Sequence, residues 1–174
     1  QDIDWFYSEQ GAAKIFPEAW QHLVEQLPSS AQAQPLSAIY QQLSSDEMQI
    51  SNAMLLKIQH WETNLIHWKN LVSTDDITLE DDKAAAIIQL YYSMHQCFIE
   101  NTPLLEHINT IRHIPTTIIH GRQDMVCPVE QAWLLSQSWP EAQLFIIEMA
   151  GHVANEPKMI DALVNATNEF AKGQ

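Results

Sequence analysis

Two stretches decide the fold: Thr116-Thr117-Ile118-Ile119-His120-Gly121-Arg122-Gln123-Asp124, and Leu144-Phe145-Ile146-Ile147-Glu148-Met149-Ala150-Gly151-His152. Each opens with a short run, β-branched or otherwise apolar, that stops at or just before a glycine, which suits a buried strand. Between them, Val129–Trp139 has helical spacing, with Ala132, Leu135 and Trp139 on one side. A last helix begins near Pro157 and is expected to bury Ile160, Leu163, Val164 and Ala166. Strand, helix, strand, helix reads as a parallel α/β segment. Two parallel strands apolar on both faces call for a larger sheet to cover them. Functional groups of open α/β sheets gather at the C-terminal ends of strands. There the first strand presents Asp124 and the second His152. A carboxylate so placed can orient an imidazole and stabilise its cationic form. Taken singly, Asp124 could cap the helix that starts at Val129, and His152 could be an ordinary loop residue. Their matching positions favour the pair.

Upstream of Pro115 the texture is helical. Trp20, Leu23, Val24 and Leu27 recur at i, i+3, i+4, i+7 after Pro17, and Leu36, Ile39, Tyr40 and Leu43 repeat the spacing after Pro35. Ser44 with Glu47 reads as a capping box opening a long helix, whose stripe is Met54, Leu55, Ile58, Trp61 and Leu65. Ser73–Asp82 is acidic, lacks apolar periodicity and reads as a loop. Ile87, Ile88, Tyr91, Met94 and Phe98 mark a further helix, and Pro103 opens a short one through Leu104, Leu105 and Ile108. The expected division is a helical region over 1–113 and an α/β segment over 114–174.

Composition narrows the chemistry. The 174 residues hold four glycines, Gly11, Gly121, Gly151 and Gly173, too far apart for a dinucleotide fingerprint, a phosphate-cradling loop or a Gly-x-Ser-x-Gly nucleophile elbow. With 8 Lys and Arg against 22 Asp and Glu, the net charge of −14 disfavours nucleic acid and anionic membrane surfaces as partners. Its commonest meaning is solubility. Cys97 and Cys127 form no disulfide framework, and reduced cysteines in the cytoplasm are the default. There is neither a membrane-length apolar run nor a signal-peptide pattern. Starting at Gln1, directly before Ile3, Trp5 and Phe6, the chain reads as cut from a longer protein.

His120-Gly-Arg-Gln-Asp124 with Cys127-Pro128, then Trp139-Pro-Glu-Ala, then Ala150-Gly-His152 with Glu156-Pro157, resembles the C-terminal part of the proline iminopeptidases. These are α/β-hydrolase-fold serine peptidases that release N-terminal proline. Trp5-Phe6-Tyr7, Gly11-Ala12, Phe16-Pro17-Glu18-x-Trp20, Trp61-Glu62 and Ile111-Arg112-His113-Ile114-Pro115 resemble their helical cap, so the likeness runs over nearly the whole chain. The resemblance implies an α/β fold: the last two parallel strands and helices of a hydrolase core, behind a cap domain. It implies a Ser-acid-His triad, with Asp124 as acid, His152 as base, and the serine in an N-terminal half of the core upstream of Gln1. The serines here, Ser44, Ser45, Ser136 and Ser138, sit in helical or capping contexts rather than on an elbow. The 174 residues alone are therefore expected to be inactive. The implied partner is a peptide with a free N-terminus, proline first, and no cofactor or metal.

In that family an acidic pair in the cap receives the substrate's α-amino group. Glu62 matches the first acid; the second falls at Gln89, and the family's Ile-Glu-Asn-His-Tyr-Phe run is here Ile88-Gln89-Leu90-Tyr91-Tyr92-Ser93. A glutamine can accept from an ammonium group but removes one charge. Another capped α/β hydrolase, acting on esters or amides, is thus a second reading. A non-catalytic interaction piece, seeking a partner strand for its exposed sheet edge, is a third. His60 and His67, two helical turns apart, have no third metal ligand at fitting spacing, and His107, His113 and His120 form no ligand set. The six tryptophans read as core and pocket wall, and Cys127 as a buried small hydrophobe.

Overall fold

A computed structural model describes residues 2–69, 73 and 83–173. They fall into two compact units, Gln1–Glu100 and Asn101–Gln174. Apart from Ser73, the loop read over Ser73–Asp82 lies outside the described residues.

The first unit is helical: α1 (Asp2–Tyr7), α2 (Pro17–Val24), α3 (Leu36–Leu43), α4 (Met48–Ile66) and α5 (Lys83–Met94), with 3₁₀ turns at Ala12–Lys14 and Gln96–Phe98. Its core is built from the stripes the periodicity marks. Leu23, Ile39, Leu43, Trp61 and Leu65 are fully buried. The Trp61 ring meets Trp20 edge-on at 5.4 Å and Phe6 at 6.0 Å, and its Nε1 donates to the Phe6 carbonyl at 3.2 Å. This satisfies the one polar atom that a buried indole must partner. Ser51 Oγ donates to Leu43 O at 2.8 Å, tying α4 to the end of α3. Lys57 is buried, and its Nζ reaches His22 O at 2.6 Å and Glu25 Oε1 at 2.8 Å, bracing α4 against the end of α2. Gly11 allows a close crossing, since a Cβ there would stand 2.0 Å from the Trp5 carbonyl oxygen.

Three local expectations are revised here. Helix α4 starts at Met48 with Glu47 as its N-cap residue, and no capping box forms. The Ser45 hydroxyl accepts from Glu47 N at 3.1 Å, a local turn that competes with the cap. In α5 the buried residues are Leu90 and Ser93, whereas Ile88, Tyr91 and Phe98 are exposed. The helix ends at Met94, and Gln96, Cys97 and Phe98 all take positive φ, so Phe98 leaves the helical face.

The second unit holds a 3₁₀ helix (Leu104–Thr110), β1 (Thr117–Gly121), α6 (Val129–Ser138), β2 (Gln143–Ile147) and α7 (Pro157–Lys172). The strands pair in parallel, Thr117 opposite Gln143 through Gly121 opposite Ile147. Residues 101–113 belong to this unit. Ile108 is buried within it, while Arg112 donates from two nitrogens to the Glu141 carboxylate just before β2. Leu104 and Leu105 remain exposed. The apolar stripe of α7 is not buried as read: Ile160, Leu163 and Val164 are exposed, and Met159 is the residue that packs inward. Phe145 on β2 and Trp133 on α6 are exposed as well, so Trp133 is not core. A two-stranded sheet offers too little surface to cover these groups.

Candidate active site

The C-terminal ends of β1 and β2 are locked together. Arg122 N donates to Ile147 O at 3.0 Å and Gln123 N to Ala150 O at 2.9 Å. A Cβ at Gly121 would lie 2.3 Å from the Gly151 carbonyl oxygen and 2.6 Å from that of Ala150. Only glycine lets the loop after β2 cross so closely over the end of β1. That loop turns at Met149, which takes φ 65°. For a non-glycine residue this costs of order 1 kcal/mol. Glu156 Oε2 then accepts from Gly151 N at 2.8 Å, pinning the residue before His152.

Asp124 and His152 meet across this crossing. His152 Nδ1 lies 3.0 Å from Asp124 Oδ2 and 3.2 Å from Oδ1. An ionised carboxylate only accepts, so Nδ1 carries the proton, and in the neutral ring Nε2 is the basic nitrogen. That nitrogen lies on the far side of the ring from Asp124, in a side chain that is 38% exposed. Asp124 itself is buried. Its Oδ1 also accepts from Val126 N at 3.0 Å and Cys127 N at 2.8 Å. Asp124 does not cap α6, whose N-cap residue is Pro128 with no side-chain cap; it orders the turn leading into the helix and faces the imidazole. This arrangement can hold a neutral histidine in one tautomer and stabilise its protonated form.

A histidine that spacing alone could not place joins them. His120 Nε2 is 2.9 Å from Cys127 O and 3.5 Å from Asp124 Oδ2. Its signal was position only, one residue before the strand-ending glycine. Cys127 is half-buried rather than fully buried. Ser136 and Ser138 spend their hydroxyls on the carbonyls of Trp133 and Leu134, as helical serines do.

Within the first unit, α4 and α5 bring Glu62 and Gln89 together. Gln89 Nε2 donates to Glu62 Oε1 at 3.1 Å and lies 3.4 Å from the Tyr7 hydroxyl. Tyr7 is buried; burial first, and the neighbouring Glu62 charge second, push its phenol well above the usual range. The phenol therefore stays protonated. The Gln89 amide nitrogen is thus engaged by both Glu62 and Tyr7. Among the described residues, no three His, Cys, Asp or Glu side chains converge as metal ligands.

A parallel β-α-β unit with a carboxylate and an imidazole paired at its strand ends is the arrangement of the α/β hydrolases, and the chain belongs to that fold family. The family model described as alpha/beta hydrolase fold matches residues 13–158. Among individual relatives, the chain is similar to proline iminopeptidases. It is 38% identical over 177 residues to the one from Xanthomonas citri, covering 98% of this chain and 55% of that protein. It is 38% identical over 176 residues to the one from Arabidopsis thaliana, covering 98% of this chain and 46% of that protein. A probable proline iminopeptidase from Leptolyngbya boryana is 36% identical over 176 residues, with 98% and 54% covered. The chain thus spans about half the length of the curated relatives it matches. No helix among the described residues is long and apolar enough to cross a membrane.

Proposed function

We propose that the whole protein is a serine aminopeptidase that releases N-terminal proline, working in the cytoplasm. The observation that carries this reading is the Asp124–His152 pair at 3.0 Å on the strand ends, in a chain similar along its length to proline iminopeptidases. His152 Nε2 takes the proton of a serine hydroxyl supplied by the rest of the hydrolase core. The serine oxygen attacks the prolyl carbonyl carbon, and the imidazolium returns the proton to the departing amine nitrogen as the peptide C–N bond breaks. Water, deprotonated by the same nitrogen, then releases proline from the acyl-enzyme. Asp124 keeps the proton on Nδ1 throughout and stabilises the cation.

In this reading the helical region 1–113 acts as the cap, and Glu62 with Gln89 receives the substrate's amino terminus. Glu62 supplies the negative charge and Gln89 Oε1 a neutral acceptor. A cationic ammonium in such a setting gains charge-assisted hydrogen bonds that a blocked terminus lacks.

A second reading, ester or amide hydrolysis without a free N-terminus, draws on Gln89, which donates to the carboxylate where the family pattern has a second acid. A chromogenic prolyl amide, its N-acetylated form and simple esters, assayed with the whole protein, separate the two. Hydrolysis of the unblocked prolyl amide alone is expected. Turnover of esters with none of the prolyl amide would sink the peptidase assignment.

A further inference from the structure

We propose that His120 is a positioning residue for the acid–base pair, acting as a fixed Nε2–H donor that holds the Asp124–Cys127 turn. The nearer partner of His120 Nε2 is the Cys127 carbonyl oxygen at 2.9 Å, and a carbonyl can only accept. Nε2 therefore carries a hydrogen. The same N–H faces Asp124 Oδ2 at 3.5 Å, a long contact that adds electrostatic attraction rather than a second full bond.

The consequence runs through the backbone. Cys127 is held at both ends, its N–H given to Asp124 Oδ1 at 2.8 Å and its carbonyl taken by His120. With Val126 N also on Oδ1 at 3.0 Å, the turn grips one carboxylate oxygen and leaves Oδ2 toward His152. Release of the Cys127 carbonyl removes the tie between the far end of the turn and the β1 side chain, so the carboxylate is held in place less firmly. Helix α6 adds no side-chain cap at its N-cap residue, Pro128. The β1 position completes the device. His120 precedes Gly121, whose crossing with the β2 loop fixes the strand end from which the ring projects.

The kinetic arm of the test rests on the peptidase reading; the spectroscopic arm does not. In the unaltered chain, ring ¹⁵N shifts are expected to show a hydrogen on His120 Nε2 and on His152 Nδ1. An Nδ1–H tautomer at His120 overturns the proposal, whatever the protein hydrolyses. In the whole protein, His120→Phe removes the donor at similar volume, while His120→Gln restores an amide N–H at similar reach. His120→Phe should lower kcat about ten- to a hundredfold with KM little changed, and weaken the downfield Nδ1–H signal of His152. His120→Gln should restore most of both. Equal behaviour of the two variants, whether both active or both impaired, overturns it.

Discussion

The two units treat their apolar residues in opposite ways. In the helical unit Leu23, Ile39, Leu43, Trp61 and Leu65 are fully buried, and Trp61 gathers aromatic neighbours on two sides. In the strand-bearing unit Trp133, Phe145, Ile160, Leu163 and Val164 remain exposed. Helices can close a core against one another using only their stripes. A parallel strand pair needs cover on both faces and both edges. Yet the unit with the open faces is the one that brings Asp124 and His152 together, because that pair depends on backbone crossings at the strand ends and not on a filled core.

This contrast can be broken first at Trp61. Trp61→Ala in the 174-residue chain should cost about 3–5 kcal/mol, the usual price of emptying a large buried aromatic site, measured by denaturant unfolding of the helical signal. A loss below about 1 kcal/mol would mean that the helical unit has no closed core. The opposite is expected at Ile160. Ile160→Ser should change the stability of this chain by no more than about 0.5 kcal/mol, as surface substitutions do. A large loss there would show that α7 is covered after all.

The smallest effect expected is with pH, and it belongs to the helical unit. Burial first, and nearby Lys57 second, hold His22 below its usual value of 6.5. The unfolded chain then binds a proton that the folded unit resists, so stability falls as pH drops below about 6.5 toward the folded value. Glu25, held below 4.5 chiefly by its hydrogen bond from Lys57, adds a further loss at lower pH. Thermal melts from neutral to mildly acidic pH should decline, and His22→Gln should flatten the first part of that decline. An unchanged slope would remove His22 from the account.

Legibility in the sequence divided along the same line. The α4 stripe Met54, Leu55, Ile58, Trp61 and Leu65 is buried throughout, because its partners α2 and α3 are part of the same unit. The α7 stripe was equally plain as a helix, but its burial was not predictable from its own spacing, since exposure depends on what else is present to cover it. At the candidate site, Asp124 and His152 could be placed from strand ends alone. His120 could not, because its partner is a main-chain carbonyl seven positions on, and periodicity carries no information about main-chain acceptors. Tyr7 beside Gln89 was hidden for another reason: the two lie 82 positions apart and meet only once α1 and α5 have packed.

The most direct test of the acid–base pair is the kcat of the whole protein on a prolyl amide with Asp124→Asn in place of the native residue. The substitution preserves shape but cannot hold the proton on His152 Nδ1. The pairing predicts a fall of about 10⁴-fold with the fold intact by far-UV circular dichroism. A folded variant that keeps its kcat would contradict it.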